Sequence, residues 1–204
     1  MSQPVSSPIR IFLFTCLLGL FAGLANGQSA SIPSSDAGYE AVLNILVGSN
    51  ESISGKALPK SLSSVQRQLN ENFGFSNYNL RSTLLGRVSA PGSVEYKSIS
   101  DHFGRESVDA PTFVEWTLQL LPAAAADANR LQLSAFRFGA RVPVLIRGRG
   151  PDGQNSGATT YESIGLSSQR VALSIGKPAL IGTVSLPGTS GTLFLVLTVR
   201  LAVD

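Results

Sequence analysis

The hydrophobic pattern changes period along the chain and divides it into elements. In YEAVLNILV, Tyr39, Ala41, Leu43, Ile45 and Val47 alternate with positions that include Glu40 and Asn44, the period of two that marks a strand. The next apolar series, Leu58, Leu62, Val65, Leu69 and Phe73, recurs every three or four residues. That spacing predicts one amphipathic helix over about residues 58–73, with Pro59 suited to its first turn and Gly74 just past its end. Gln66, Arg67, Asn70 and Glu71 lie off the apolar stripe as a solvated face, so the stripe is the side that covers a sheet.

Beyond Gly74 the period returns to two. FSNYNLRSTLLGRVS and SVEYKSIS flank Ala90-Pro91-Gly92, which predicts a hairpin. TFVEWTLQLL sets Val114, Trp116, Leu118 and Leu120 against Glu115, Thr117 and Gln119. In RLQLSAFRFGARVPVLIRGRG the apolar phase moves from Leu131 and Leu133 to Phe136, Phe138, Val142, Val144 and Ile146, the signature of a bulge around Ala135. Pro143 places the later part of that run at an edge or beside a bulge. Three closing strands follow, near Tyr161 to Ile175, Ala179 to Leu186 and from Thr192 onward, with turns at Gly176-Lys177-Pro178 and Pro187 to Gly191. Leu193, Leu195, Leu197, Val199, Leu201 and Val203 share one face of the last strand. A strand of that length needs neighbours on both sides, and the expected ones are its hairpin partner and the long arginine-bearing strand, which makes it a central or penultimate member of a sheet. The fold class is therefore mainly β (α+β), an antiparallel sheet or sandwich with one packed amphipathic helix, plus an N-terminal signal segment.

The N-terminal composition sets the compartment. Arg10 precedes an apolar run from Ile11 to about Ala25, and small residues stand at Ala25 and Gly27, the layout of a signal peptide over residues 1–27 cut after Gly27. As a helix the run reaches about 22 Å against a hydrocarbon core of about 30 Å, so no stable membrane span is expected after cleavage. Residues 28–38 form a flexible lead-in and residues 39–204 a single β-rich domain, secreted or periplasmic. Cys16, the one cysteine, falls within the cleaved segment, which excludes disulfides, thiolate catalysis and cysteine metal sites from the exported chain.

The chemistry-bearing residues are few. Arg137, Arg141, Arg147 and Arg149 all occupy odd positions opposite the even apolar face, so an uninterrupted strand displays them as one basic stripe. Guanidinium forks pair carboxylate or phosphate bidentately, and these four are the candidate binding residues for an envelope or secreted protein, met through a sheet edge or this basic face. The same arginines also guard a sheet edge against aggregation. No aromatic residue interleaves with them on their own strand face, and with a formal net charge of +3 no nucleic-acid partner is expected. His102 beside Asp101, with Ser98, Ser100 and Ser107 nearby, forms the candidate catalytic set of the alternative reading, a secreted hydrolase, although no nucleophile-elbow pattern accompanies it. One histidine and no mature cysteine supply too few ligands for a zinc site, and no metal or cofactor is expected. The glycines of RGRGPDG and PGTSG lack the strand-to-helix setting of a phosphate loop.

The run RVALSIGKPALIGTVSLPGTSGTLFLVLTVRL resembles the closing strands of secretins, the outer-membrane channels of type II and III secretion and pilus systems. A strand, a glycine turn, a small apolar strand and a final LxLxLTxR-like strand recur there. The segment that lies between those strands in the family, with its repeated leucine-glycine and proline-glycine turns, is absent here. The resemblance implies a secretin-like sheet in an envelope accessory rather than a complete channel. Together with the composition it leads to an exported, non-catalytic binding or assembly domain of the cell envelope, of open oligomeric state.

Overall fold

The first and last strands of the domain pair with one another, and the rest is arranged around that pair. The computed structural model describes residues 38–51, 56–100, 110–122, 129–149, 155–187 and 190–202. Strand β1 (Gly38–Ser49) lies between β2 (Asn77–Ser89) and β8 (Thr192–Leu201), and β7 (Ala179–Ser185) completes a four-stranded sheet of order β2-β1-β8-β7. A second four-stranded sheet runs in chain order, β3 (Gly92–Ser100), β4 (Thr112–Pro122), β5 (Arg130–Arg149) and β6 (Asn155–Ser174). Every strand pair is antiparallel. A 3-10 turn at Lys60–Leu62 leads into the helix α1 (Ser63–Asn72), inside the span that the apolar spacing predicts.

The two sheets form a sandwich. Leu43, Ile45 and Val47 of β1 and Leu193, Leu195, Leu197 and Val199 of β8 share one core with Val114, Trp116 and Leu118 of β4 and Phe136 and Phe138 of β5. The opposite face of the first sheet is covered as well. Leu46, Phe194 and Val196 pack with Leu62, Val65 and Leu69 of the helical segment and with Tyr78. This double cover is why β8 is buried from Leu193 to Leu197 without alternation, as a strand enclosed on both faces must be. Asn44, a buried polar residue midway along β1, accepts a hydrogen bond from the Thr83 hydroxyl at its Oδ1, at 2.9 Å.

Around Phe194 the helix is anchored by aromatic contacts. Phe73 meets the Phe194 ring edge-on at 4.9 Å, and Tyr78 and Phe75 lie at 5.7 Å and 6.0 Å, in the T-shaped geometry that aromatic quadrupoles favour. The Tyr78 hydroxyl lies 3.0 Å from the Leu69 carbonyl and 2.8 Å from that of Phe73, and donates its proton to them. The Leu69 carbonyl also accepts the Phe73 N–H at 2.8 Å, the bond that closes the helix, so Tyr78 ties down the C-terminal end of α1 and the residue that caps it.

Two points differ from the sequence expectation, the turn at Ala90-Pro91-Gly92 and one neighbour of β8. Ala90-Pro91-Gly92 does not close a hairpin: β2 belongs to the first sheet and β3 to the second, and the turn, with a cis Ala90-Pro91 peptide, carries the chain across the sandwich. The expected turn at Gly176-Lys177-Pro178 is present and also crosses between sheets, taking the chain from β6 to β7. The neighbours of β8 are β7 and β1, not the arginine-bearing β5. Alternation fixes which face a residue occupies, but it carries no information on which of several apolar strands lies beside it. The bulge is found where the phase shift placed it: the β4–β5 register slips at Gln119/Leu120, opposite Ser134. The N-terminal signal segment lies outside the described residues.

Gly48 gives the aromatic group its room. A Cβ there would fall 2.8 Å from ring carbons of both Phe194 and Phe75. Gly48→Ala should therefore lower stability by about 1–3 kcal/mol through overpacking, read as a lower urea midpoint, and Phe75→Ala in the same background should recover part of the loss. Burial pushes the Tyr78 hydroxyl above its ordinary value. A raised folded value means that its contribution is complete below pH of about 10 and is lost as pH rises beyond it. Alkaline unfolding followed by circular dichroism should be steeper in the wild type than in Tyr78→Phe over that range.

Candidate binding face

The second sheet has one face in the sandwich core and one that no described residue covers. Strand alternation assigns the free face: Glu95, Lys97 and Ile99 on β3, Phe113, Glu115 and Thr117 on β4, Arg137, Gly139 and Arg141 on β5, and Ser163, Gly165 and Ser167 on β6. Register aligns these into cross-strand rows. Glu95, Thr117, Arg137 and Ser167 form one; Lys97, Glu115, Gly139 and Gly165 the next; Ile99, Phe113, Arg141 and Ser163 the third.

The middle row is a trough, because two glycines face each other across β5 and β6. A cleft of about 490 Å³ opens there, lined by Lys97, Phe113, Glu115, Gly139, Arg141 and Ser163 among others. Glu115 leans into the space that a side chain at Gly139 would fill, its Cγ and Oε1 both 3.2 Å from where that Cβ would stand. Arg141 is held beside the cleft by the Phe113 ring, 5.1 Å from its guanidinium carbon, and Phe113 in turn contacts Tyr161 at 5.7 Å. Among the described residues Arg137, Arg141 and Glu115 enter no ion pair. Lys97 pairs with Glu95 at 2.9 Å. That hydrogen bond holds Glu95 below the usual carboxylate range and raises Lys97, to which Glu115 adds a smaller attraction.

Past this face β5 and β6 continue as a ribbon. Each strand is twenty residues long, and β4 accompanies β5 only as far as the Phe113–Arg141 pair. Residues 142–149 and 155–162 pair only with each other among the described residues, a reach of about 26 Å at about 3.3 Å per residue. Ile146 is 56% exposed there. Pro143 sits at the start of this stretch, opposite Tyr161 and beyond the end of β4, so its missing N–H removes no bond to that strand.

Of the four arginines singled out in the sequence, Arg137 and Arg141 are exposed on the free face and flank the cleft. Arg147 and Arg149 lie on the ribbon by their backbone, opposite Gly157 and Asn155. His102, Asp101 and Ser107 fall outside the described residues, and Ser98 and Ser100 belong to β3. Arg141 does have aromatic company: no aromatic shares its strand face, yet Phe113 arrives from β4, with Tyr161 of β6 against that ring. The sequence reading passed over Glu115 and Gly139, since their juxtaposition depends on the β4–β5 register. Among the described residues no group of three or more His, Cys, Asp or Glu could hold a metal ion, and no helix is long and apolar enough to cross a membrane.

Comparison with known proteins places secretins among the structural neighbours. The Salmonella SPI-1 type III secretion injectisome secretin InvG (residues 176 to its end, open gate state) aligns with a TM-score of 0.37 and 10% identity, over 98% of this chain and 67% of that one. The V. cholerae type IV competence pilus secretin PilQ aligns with a TM-score of 0.30 and 9% identity, over 82% of this chain and 58% of that one. Both belong to the family that the closing strands resemble in sequence. No family model and no curated protein matches the chain.

The charged residues of the free face lie outside the buried core. Arg137→Ser should change the unfolding free energy by less than about 0.5 kcal/mol, whereas Arg141→Ser, which gives up its contact with Phe113, should cost about 0.5–1 kcal/mol; urea titration of both variants checks the difference.

Proposed function

We propose that this chain is an exported, non-catalytic binding or assembly domain of the cell envelope, secreted or periplasmic, which meets a protein partner through an open sheet edge or the basic face of β5. The observation that carries this reading is the β5–β6 hairpin. It runs past β4 at residues 142–149, where β5 has no second neighbour among the described residues. Such an edge offers a row of backbone donors and acceptors to an added strand. Beside it stand two guanidinium groups that enter no ion pair among the described residues, which favours an acidic surface. The likeness of the closing strands to those of secretins agrees with a place in envelope assembly.

Photo-reactive residues placed at Tyr161 and at Arg141 test the reading in intact cells that export the chain with its own leader. The expected outcome is reproducible cross-links to secretion, pilus or other envelope components, those from Tyr161 weakened when Arg141, Arg147 and Arg149 are replaced by serine. Recovery of an uncross-linked, monomeric chain from both sites would count against it.

A further inference from the structure

The outer face carries more than a basic stripe, because its charges alternate in sign. Arg137 and Arg141 are four residues apart on β5 and point the same way, about 13 Å between their Cα positions at about 3.3 Å per residue. Midway between them stands Gly139, with no side chain of its own, and the Glu115 carboxylate occupies the vacated position from the adjacent strand. Along β5 the face thus presents guanidinium, carboxylate, guanidinium. None of the three is neutralised by an ion pair among the described residues. Arg141 is kept apart from Glu115 by its seat over Phe113. Ser163 and Ser167 stand beside the two arginines on β6 as small hydroxyl donors that leave the cleft open.

We infer that the cleft receives an extended segment of a partner protein in which an acidic, a basic and an acidic residue occupy alternate positions. An extended chain directs every second side chain to one side, with about 6.6 Å between successive ones. Its first and third charged residues therefore meet Arg137 and Arg141 while the middle one meets Glu115. Carboxylate oxygens match the guanidinium forks in pairs, and Gly165, opposite Gly139, leaves room beside the Glu115 carboxylate. This inference rests on the reading of the chain as a protein-binding domain and narrows the partner to one charge pattern. A uniformly acidic segment is disfavoured by Glu115, which would face a like charge.

The test uses the full exported chain and three end-capped heptapeptides: Thr-Asp-Thr-Lys-Thr-Asp-Thr, the reversed-charge Thr-Lys-Thr-Asp-Thr-Lys-Thr, and the acidic Thr-Asp-Thr-Asp-Thr-Asp-Thr. Binding is followed by amide chemical shifts. The first peptide should give saturable shifts centred on Gly139, Arg141 and Ser163, and should bind more tightly than either of the others. Arg141→Ser should weaken it about three- to tenfold, and added salt should weaken it further. The charge-swapped variant E115K/R137E/R141E should prefer the reversed peptide, an exchange that a merely structural role for these residues would not produce. Equal binding of all three peptides, tighter binding of the acidic one, shifts centred elsewhere, or preferential binding of an oligothymidylate would overturn the inference. Peptide failure alongside in-cell cross-links from Arg141 would discard the charge pattern and keep the assembly reading. Peptide binding without envelope cross-links would do the reverse.

Discussion

A strand enclosed on both faces has no side on which to put charge, and β1 and β8 are under that constraint through most of their length. Their sandwich-facing residues meet the second sheet, and Leu46, Phe194 and Val196 meet the helix and its flanking aromatics. Fully burying one such side chain contributes about 1.5–3 kcal/mol, so this pair holds more of the apolar burial than any edge strand can. The one cross-strand ion pair of β1 and β8, Glu40 with Arg200, stands towards the open end of the pair, where Arg200 is exposed. Because β1 and β8 come from opposite ends of the domain, the sheet cannot be complete until both are present.

The same constraint releases the second sheet. With the core supplied from one side and the helix committed to the first sheet, nothing among the described residues covers the outer face of β3 to β6. It can therefore carry Glu95, Lys97, Glu115, Arg137 and Arg141 and two facing glycines at little cost to folding. The ribbon beyond β4 follows from the same economy, since two paired strands hold each other through their own ladder without a third. The second sheet thus gives one face to the shared core and leaves the other outside it, where substitutions should have little effect on packing.

Much of this architecture is legible in the chain. The period of two in YEAVLNILV and in the closing strand marked β1 and β8, the three- and four-residue spacing marked the helix, and the phase shift around Ala135 located the bulge. Sheet membership was not legible. Ala90-Pro91-Gly92 and Gly176-Lys177-Pro178 are turn signals whether the chain doubles back or crosses a sandwich, because the local backbone requirement is similar in both. The partner of β8 was misjudged for a related reason: β1 and β5 are both long and apolar, and only the three-dimensional packing chooses between them. The binding face was half visible. Arginines at odd positions announced a basic stripe, while Gly139 between Arg137 and Arg141 drew no notice. That a carboxylate from another strand fills the gap depends on the pairing of Glu115 with Gly139, which no local pattern encodes.

Hydrogen exchange of backbone amides, resolved by residue in the isolated exported chain, tests the division between a sealed first sheet and an open second one. Amides of β1 and β8 should exchange only through global unfolding, with protection matching the unfolding free energy measured in denaturant. Those of residues 142–149 and 155–162 should exchange through local opening, orders of magnitude faster. Equal protection of the ribbon and of β8, or early exchange of β1 or β8 while the second sheet stays protected, would contradict this account.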